Sequence, residues 1–307
     1  MPVIQVENLT KDYGHNRGVF DVSFEVKQGE FFGFLGPNGA GKSTTIRHLM
    51  GFSRPMKGRT LVEGLDSREK HYEIQRNVGY LPGELALPEN LNGEQFIKMM
   101  AELRGMRDMA YTKKLINRFE VEASGGLKRM SLGMKRKLAV VTAFMHDPSI
   151  LILDEPTSGL DPVMQDVFIE FLLEEKARGK TILLSSHIFS EIDETCDRIS
   201  IIKDGRLVST FIADEIRKND RKEWKIEFNT KEDFEKFRKE VAKKLNVVSV
   251  KEESNQAQVV VLDNSTNTLV AELSNYSLKY FSEIKFTLED YFMEFYDRNK
   301  AVKKEAS

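Results

Sequence analysis

The chain has 307 residues, of which 40% are hydrophobic and 31% charged, with a formal net charge of -2. Such a length carries a prior of about two domains and is enough to bury a real core, while so small a net charge gives no broad field for nucleic acid. The one cysteine, Cys196, excludes an intramolecular disulfide and any cysteine-built metal cluster, and it suits a reducing compartment.

The opening stretch, MPVIQVENLTKDYG, has neither a basic start nor an apolar core, so it does not read as a signal peptide. No apolar run reaches the ~18 residues of a membrane helix, so work at a membrane needs a partner that spans it. VIQVENL, GVFDVSFEV and GEFFGFLG alternate like strands between glycine and lysine breaks. KSTTIRHLMGF then reads as a helix ended by Gly51, and GRTLVEG and NVGYLP as short strands. From about Glu84 to Lys137 the pattern is helical, with apolar residues at helical spacing in EQFIKMMAELRGM and YTKKLINRFEV. SILILDE follows as a strand, VMQDVFIEFLLEEKARG as a helix, KTILLSS as a strand and HIFSEIDETC as a helix. RISIIKDGRLVSTF is two strand-like runs around Asp-Gly, a hairpin signal.

The charged stretch RKNDRKE marks a boundary, giving an α/β domain over 1–216 and a smaller α+β domain over 222–298. The second domain reads strand, helix, strand, strand, helix, strand, the ferredoxin-like order. Trp224 and the aromatics near it suit a core better than a ligand box. A last helix, TLEDYFMEFYDR, and a charged tail over 299–307 close the chain.

Three segments carry chemistry. FFGFLGPNGAGKSTT places Gly36, four residues, then Gly41, Lys42 and Ser43 between an apolar strand and a helix, the pattern of a phosphate-binding loop. Backbone N–H groups there turn towards phosphate oxygens, and the following helix adds the positive end of its dipole. Lys42 reaches the β- and γ-phosphates, and the Ser43 hydroxyl is placed to ligate Mg²⁺. Asn38, Gly39, Ala40 and Thr44 complete the candidate loop. ILILDEP ends a continuously apolar strand in Asp154 and Glu155, where ligands of α/β sheets bind. Asp154 suits Mg²⁺, and Glu155 suits a general base that polarises the attacking water. His187 follows a third apolar strand, TILLSS.

These pieces occur in an order that resembles one family: GPNGAGKST, MSLGM, LILDEPTSGLD and SSH are similar to the motifs of the nucleotide-binding subunit of an ATP-binding cassette (ABC) transporter, in its drug- and bacitracin-export group. The resemblance spans most of 1–216. It implies a RecA-like α/β core with an antiparallel β subdomain and a helical subdomain at about 84–137, whose groove receives a helix of the membrane protein. It implies ATP and Mg²⁺ as cofactors and an ATPase that drives separate permease subunits. The location implied is cytoplasmic, on the inner face of the membrane, with no nucleic-acid partner.

Roles for further residues come from the resemblance alone. Tyr13, in KDYG, looks like the residue that stacks on adenine, and His187 like the one that contacts the γ-phosphate. MSLGM looks like the signature motif, so Ser131 and Gly133 would bind ATP held by a second subunit, with Asp161 of SGLD touching the same neighbour. The implied assembly is a homodimer, or a heterodimer with a similar ATPase. Alone, Ser131 reads as a plain helix cap, with Lys135, Arg136 and Lys137 as a solvated face. Leu132 and Met134 depart from the usual signature. Gly83, in GYLPGEL, stands where the family has a glutamine that touches Mg²⁺, and Glu84 after it is a hard oxygen ligand that could take that role. Two other functions stay open: a non-transport ABC ATPase and a nucleotide-dependent regulator.

Overall fold

The computed structural model describes residues 1–217, 221–240, 246–251, 254–262, 266–284 and 288–289. The chain divides into two compact units, Met1–Ala213 and Asp214–Ser307. Apart from Leu288 and Glu289, the terminal helix expected from TLEDYFMEFYDR and the tail after it lie outside the described residues.

The first unit opens with strands β1 (Pro2–Asp12), β2 (Gly18–Lys27) and β3 (Phe31–Leu35), which lead into helix α1 (Lys42–Leu49). Strands β4 (Lys57–Val62) and β5 (Leu65–Asp66), helix α2 (His71–Asn77) and strand β6 (Gly79–Leu81) follow. Helices α3 (Gly93–Leu103), α4 (Ala110–Arg118) and α5 (Leu132–Phe144) come next. Then come β7 (Ile150–Asp154), α6 (Pro162–Ala177), β8 (Thr181–Ser186) and α7 (Phe189–Thr195). Strands β9 (Arg198–Lys203) and β10 (Arg206–Ile212) end the unit, and a short helix α8 (Ala213–Arg217) leads out of it.

Two sheets result. One is antiparallel, in the order β2-β1-β4-β5; the other runs β10-β9-β3-β8-β7-β6, parallel from β9 to β6. Every residue of β3, β7 and β8 is buried, as expected of parallel strands covered on both faces. β10 turns back beside β9 through Asp204 and Gly205, both at positive φ (49° and 72°), the conformation a two-residue hairpin needs.

The two sheets share a core. Ile4, Val6, Val22 and Val26 of the antiparallel sheet join Phe32, Phe34 and Ile152 of the parallel one in a single buried cluster with Ile46 and Leu49 of α1. The Phe24 ring stacks on Phe32 with centroids 5.2 Å apart. The core therefore grips α1, the helix that carries the phosphate-loop lysine at its start.

The helical stretch begins later than the sequence pattern suggests. No helix covers 84–92, where Pro88 disfavours the helical conformation of Leu87 before it. α3 starts after Asn92, whose side chain accepts from Gln95 N while the Gln95 side chain accepts from Asn92 N, a complete capping box. An aromatic cluster joins these helices to the core: Phe144 of α5 lies 4.8 Å from Phe171 and 6.5 Å from Phe168 of α6, ring centre to ring centre, and Phe119 after α4 joins them. Phe144 is fully buried. Phe144→Ala should therefore destabilise the Met1–Ala213 unit by about 3–5 kcal/mol, read as an earlier midpoint in urea unfolding followed by circular dichroism.

The second unit holds β11 (Arg221–Phe228), α9 (Lys231–Glu240), β12 (Asn246–Lys251), β13 (Gln256–Leu262), α10 (Thr266–Leu273) and β14 (Leu278–Ile284). Its sheet runs β12-β13-β11-β14, antiparallel at each pairing. Ile226, Phe228, Phe234, Phe237 and Leu269 are buried together, and Trp224 stacks on Phe281 at 4.6 Å against this cluster. Among the described residues, no helix is long and apolar enough to cross a membrane.

Candidate functional site

β3 delivers the chain to a loop that ends at Gly41, the N-cap of α1, with φ of 110°. L side chains rarely adopt that conformation, and a Cβ there would lie 2.7 Å from Val19 Cγ1, so the position suits glycine alone. Gly41 brings no side-chain cap, which leaves first-turn N–H groups of α1 available to an anion. Lys42 is only 5% exposed. Its Nζ donates to the carbonyls of Gly36 at 2.5 Å and Pro37 at 3.3 Å, and pairs with Glu155 Oε1 at 3.0 Å.

Asp154 ends β7 and is buried; it accepts a hydrogen bond from the Ser185 hydroxyl on the neighbouring strand β8. Glu155 follows with positive φ (48°), and its N–H donates to Ser185 O at 2.9 Å. That turn aims Glu155 away from Asp154: its Oε2 lies 2.6 Å from His187 Nδ1. Lys42, Glu155 and His187 thus form a continuous charged and hydrogen-bonded row across the ends of α1, β7 and β8.

The row lies in a cavity of about 520 Å³. From the loop it is lined by Asn38, Gly39, Gly41, Lys42, Ser43 and Thr44. Asp154, Glu155, His187 and the exposed Glu84 line its other walls. This donor set fits Mg-ATP: N–H groups and an ammonium suit phosphates, and the Ser43 hydroxyl and Asp154 carboxylate are the hard oxygens Mg²⁺ takes.

Other candidate residues stand outside the lining. Gly36 holds Lys42 through its carbonyl, and Ala40 is buried beneath the loop. Tyr13 is 52% exposed, with Lys11 Nζ 5.6 Å from its ring centre. Ser131 caps α5, its Oγ accepting from Met134 N at 3.2 Å. Gly133 lies in the first turn of that helix, where an added Cβ would sit 3.0 Å from Gly159 O. Asp161 caps α6 by accepting from Met164 N at 3.0 Å, with Pro162 at the first helical position.

Arg136 and Glu191 escaped the sequence pattern, and Gly83, singled out there, takes a definite place. Gly83 lines the cavity, and a Cβ on it would lie 3.1 Å from Asp154 Oδ2, so a side chain there would press on the Asp154 carboxylate. Arg136 is not part of a solvated basic face: it is 2% exposed, and its guanidinium donates to the carbonyls of Pro82, Gly83 and Ser158. Glu191 of α7 is buried and accepts from the Ser186 hydroxyl, one residue before His187. Burial pushes its carboxyl up to about 7, opposed by the hydroxyls of Ser186 and Thr157.

A second cavity, of about 420 Å³, is lined by the exposed apolar side chains Phe52, Tyr72 and Leu103 together with Arg76 and Arg104. Tyr80 and Pro82 line both cavities and form a shared wall between them.

Comparison with known proteins shows the family. The ABC transporter family pattern matches residues 19–158. The probable multidrug ABC transporter ATP-binding protein YbhF of Escherichia coli is 36% identical over 70% of this chain, but the match spans only 38% of that protein's length. The bacitracin transport ATP-binding protein BcrA of Bacillus licheniformis is 35% identical over 72% of this chain and 73% of its own. A solved ATP-binding subunit of an ABC transporter superposes with a TM-score of 0.64 at 34% identity, covering 70% of this chain and 92% of that one. Proteins of this family bind and hydrolyse ATP, and the chain belongs to it, as an ATP-binding subunit of an ABC transporter.

Proposed function

We propose that this chain is the ATP-hydrolysing motor of an exporter, that two copies close around two Mg-ATP, and that closure drives separate membrane subunits. One observation carries the reading. The phosphate loop, Asp154, Glu155 and His187 line one cavity, while Ser131 and Gly133 sit at a helix start outside it. A serine at the N-terminus of α5 can bind a phosphate only if a second molecule brings one. A two-fold dimer supplies that for both chains at once, because each presents the same surface to the other.

Within each site Lys42 holds the β- and γ-phosphates, and Ser43 and Asp154 hold Mg²⁺, with Glu84 as a further oxygen ligand. Glu155 takes the proton of the attacking water, and His187 holds Glu155 in place and faces the γ-phosphate. Tyr13 stacks on adenine, while Ser131, Gly133 and Asp161 reach the neighbour's site. The apolar groove bordered by Phe52, Tyr72 and Leu103 receives a helix of the membrane subunit, which puts the motor on the cytoplasmic side. Export is supported by the names of the multidrug and bacitracin relatives.

The test is the solution mass of the Glu155→Gln chain with and without Mg-ATP. ATP should convert monomer to dimer, and adding Ser131→Arg should abolish the conversion while leaving Mg-ATP binding intact. A chain that binds ATP yet stays monomeric overturns the homodimer.

A further inference from the structure

Arg136 lies on α5, five positions after the serine that caps it, and is 2% exposed. A buried guanidinium is costly unless its N–H groups are satisfied. Here they are: Nη1 donates to Pro82 O at 2.7 Å, Nη2 to Gly83 O at 2.5 Å and Nε to Ser158 O at 2.9 Å. Burial works against the charge, and the Asp154 and Glu155 carboxylates work for it.

The three carbonyls belong to two loops, one leaving β6 and the other following β7. Gly83 and Ser158 both line the phosphate cavity. The second loop also touches the start of α5, where Leu132 packs close to Gly159. A planar fork with fixed donor directions joins both loops to one helix; a point charge would not. Gly83 has no side chain of its own with which to transmit what happens in the cavity, so its carbonyl is the part of it that Arg136 holds.

We propose that Arg136 is a positioning residue that makes the start of α5 and the Ser158–Gly159 loop move with the Gly83 loop, so that nucleotide in a chain's own cavity governs whether that chain offers Ser131 to its neighbour. The inference rests on the reading above, that Ser131 completes a second chain's site. It differs in asking what links a chain's two halves, not what they bind.

The experiment uses the full-length Glu155→Gln chain and adds Arg136→Lys or Arg136→Gln. Lysine keeps the charge without the fork, and glutamine keeps hydrogen bonding without the charge. Coupling between sites is commonly about 5–150-fold, so the dimer dissociation constant in Mg-ATP should rise about tenfold or more while the affinity of the monomer for Mg-ATP changes less than about threefold. Hydrogen exchange should show Mg-ATP protecting the amides of 83–84 in every chain but changing 131–134 and 158–160 only where Arg136 is present. An unchanged dimer constant, or equal losses of ATP binding and dimerisation with a lowered melting temperature, overturns the proposal. If the parent chain fails to dimerise, the dimer reading falls; exchange at 131–134 then decides alone, and a variant that matches the parent there overturns the role of Arg136.

Discussion

Glu155→Gln is expected to slow ATP turnover by about 10²–10⁴-fold, the usual contribution of a positioned general base, and to leave Mg-ATP binding in place. The structure gives the reason for both halves. Glu155 Oε1 faces Lys42 at 3.0 Å and Oε2 faces His187 at 2.6 Å, so the carboxylate is the one basic group held between the phosphate-loop lysine and the histidine. Glutamine keeps the length and tolerates the same backbone, at φ of 48°, about as well as glutamate does. It cannot accept a proton from water. Phosphate release and equilibrium binding on the same preparation check the prediction. Turnover within a few-fold of the unmodified chain would remove Glu155 from the role of base.

Lys42→Met should act on the other half of the cycle, weakening Mg-ATP binding by about 10²-fold. Charge-assisted hydrogen bonds contribute about 1.5–3 kcal/mol each, and the ammonium is placed to make at least one to phosphate. Lys42 is buried to 5% exposure, so solvent does not dilute its charge as it would at the surface. Methionine has a similar length and keeps the packing beneath the loop. It also leaves the Glu155 carboxylate without its cation, which adds repulsion towards a polyphosphate. Calorimetric titration with Mg-ATP measures the loss; wild-type affinity would mean that the phosphates do not lie on this loop.

Much of this arrangement is legible in the order of residues. β3, β7 and β8 announce themselves as unbroken apolar runs because parallel strands covered on both faces need no polar side. The loop after β3 and the acidic end of β7 carry their chemistry in adjacent residues, so spacing alone points to them. α2 is not legible: of its seven residues only Ile74 is buried, and one apolar contact makes no periodic stripe. Arg136 is hidden for another reason. Its carbonyl partners are 22, 53 and 54 residues away, and a basic run of Lys135, Arg136 and Lys137 carries no sign of which member turns inward. Glu191 is hidden differently: Ser186 lies only five residues before it, but a glutamate in a short helix carries no sign that it is the one turned inward. Local pattern records what a residue does with its chain neighbours; contacts across the fold leave no trace in spacing.

The shared wall of Tyr80 and Pro82 has a thermodynamic consequence. Both residues line the phosphate cavity and the apolar groove, so a displacement of either one reshapes both. If a partner in the groove alters the affinity for nucleotide by some factor, nucleotide must alter the grip on that partner by the same factor. The wall therefore needs no direction of command. Any bias that one ligand puts on the other is returned in equal measure, and a substitution in the wall that leaves both intrinsic affinities alone can change the two biases only together and by equal amounts.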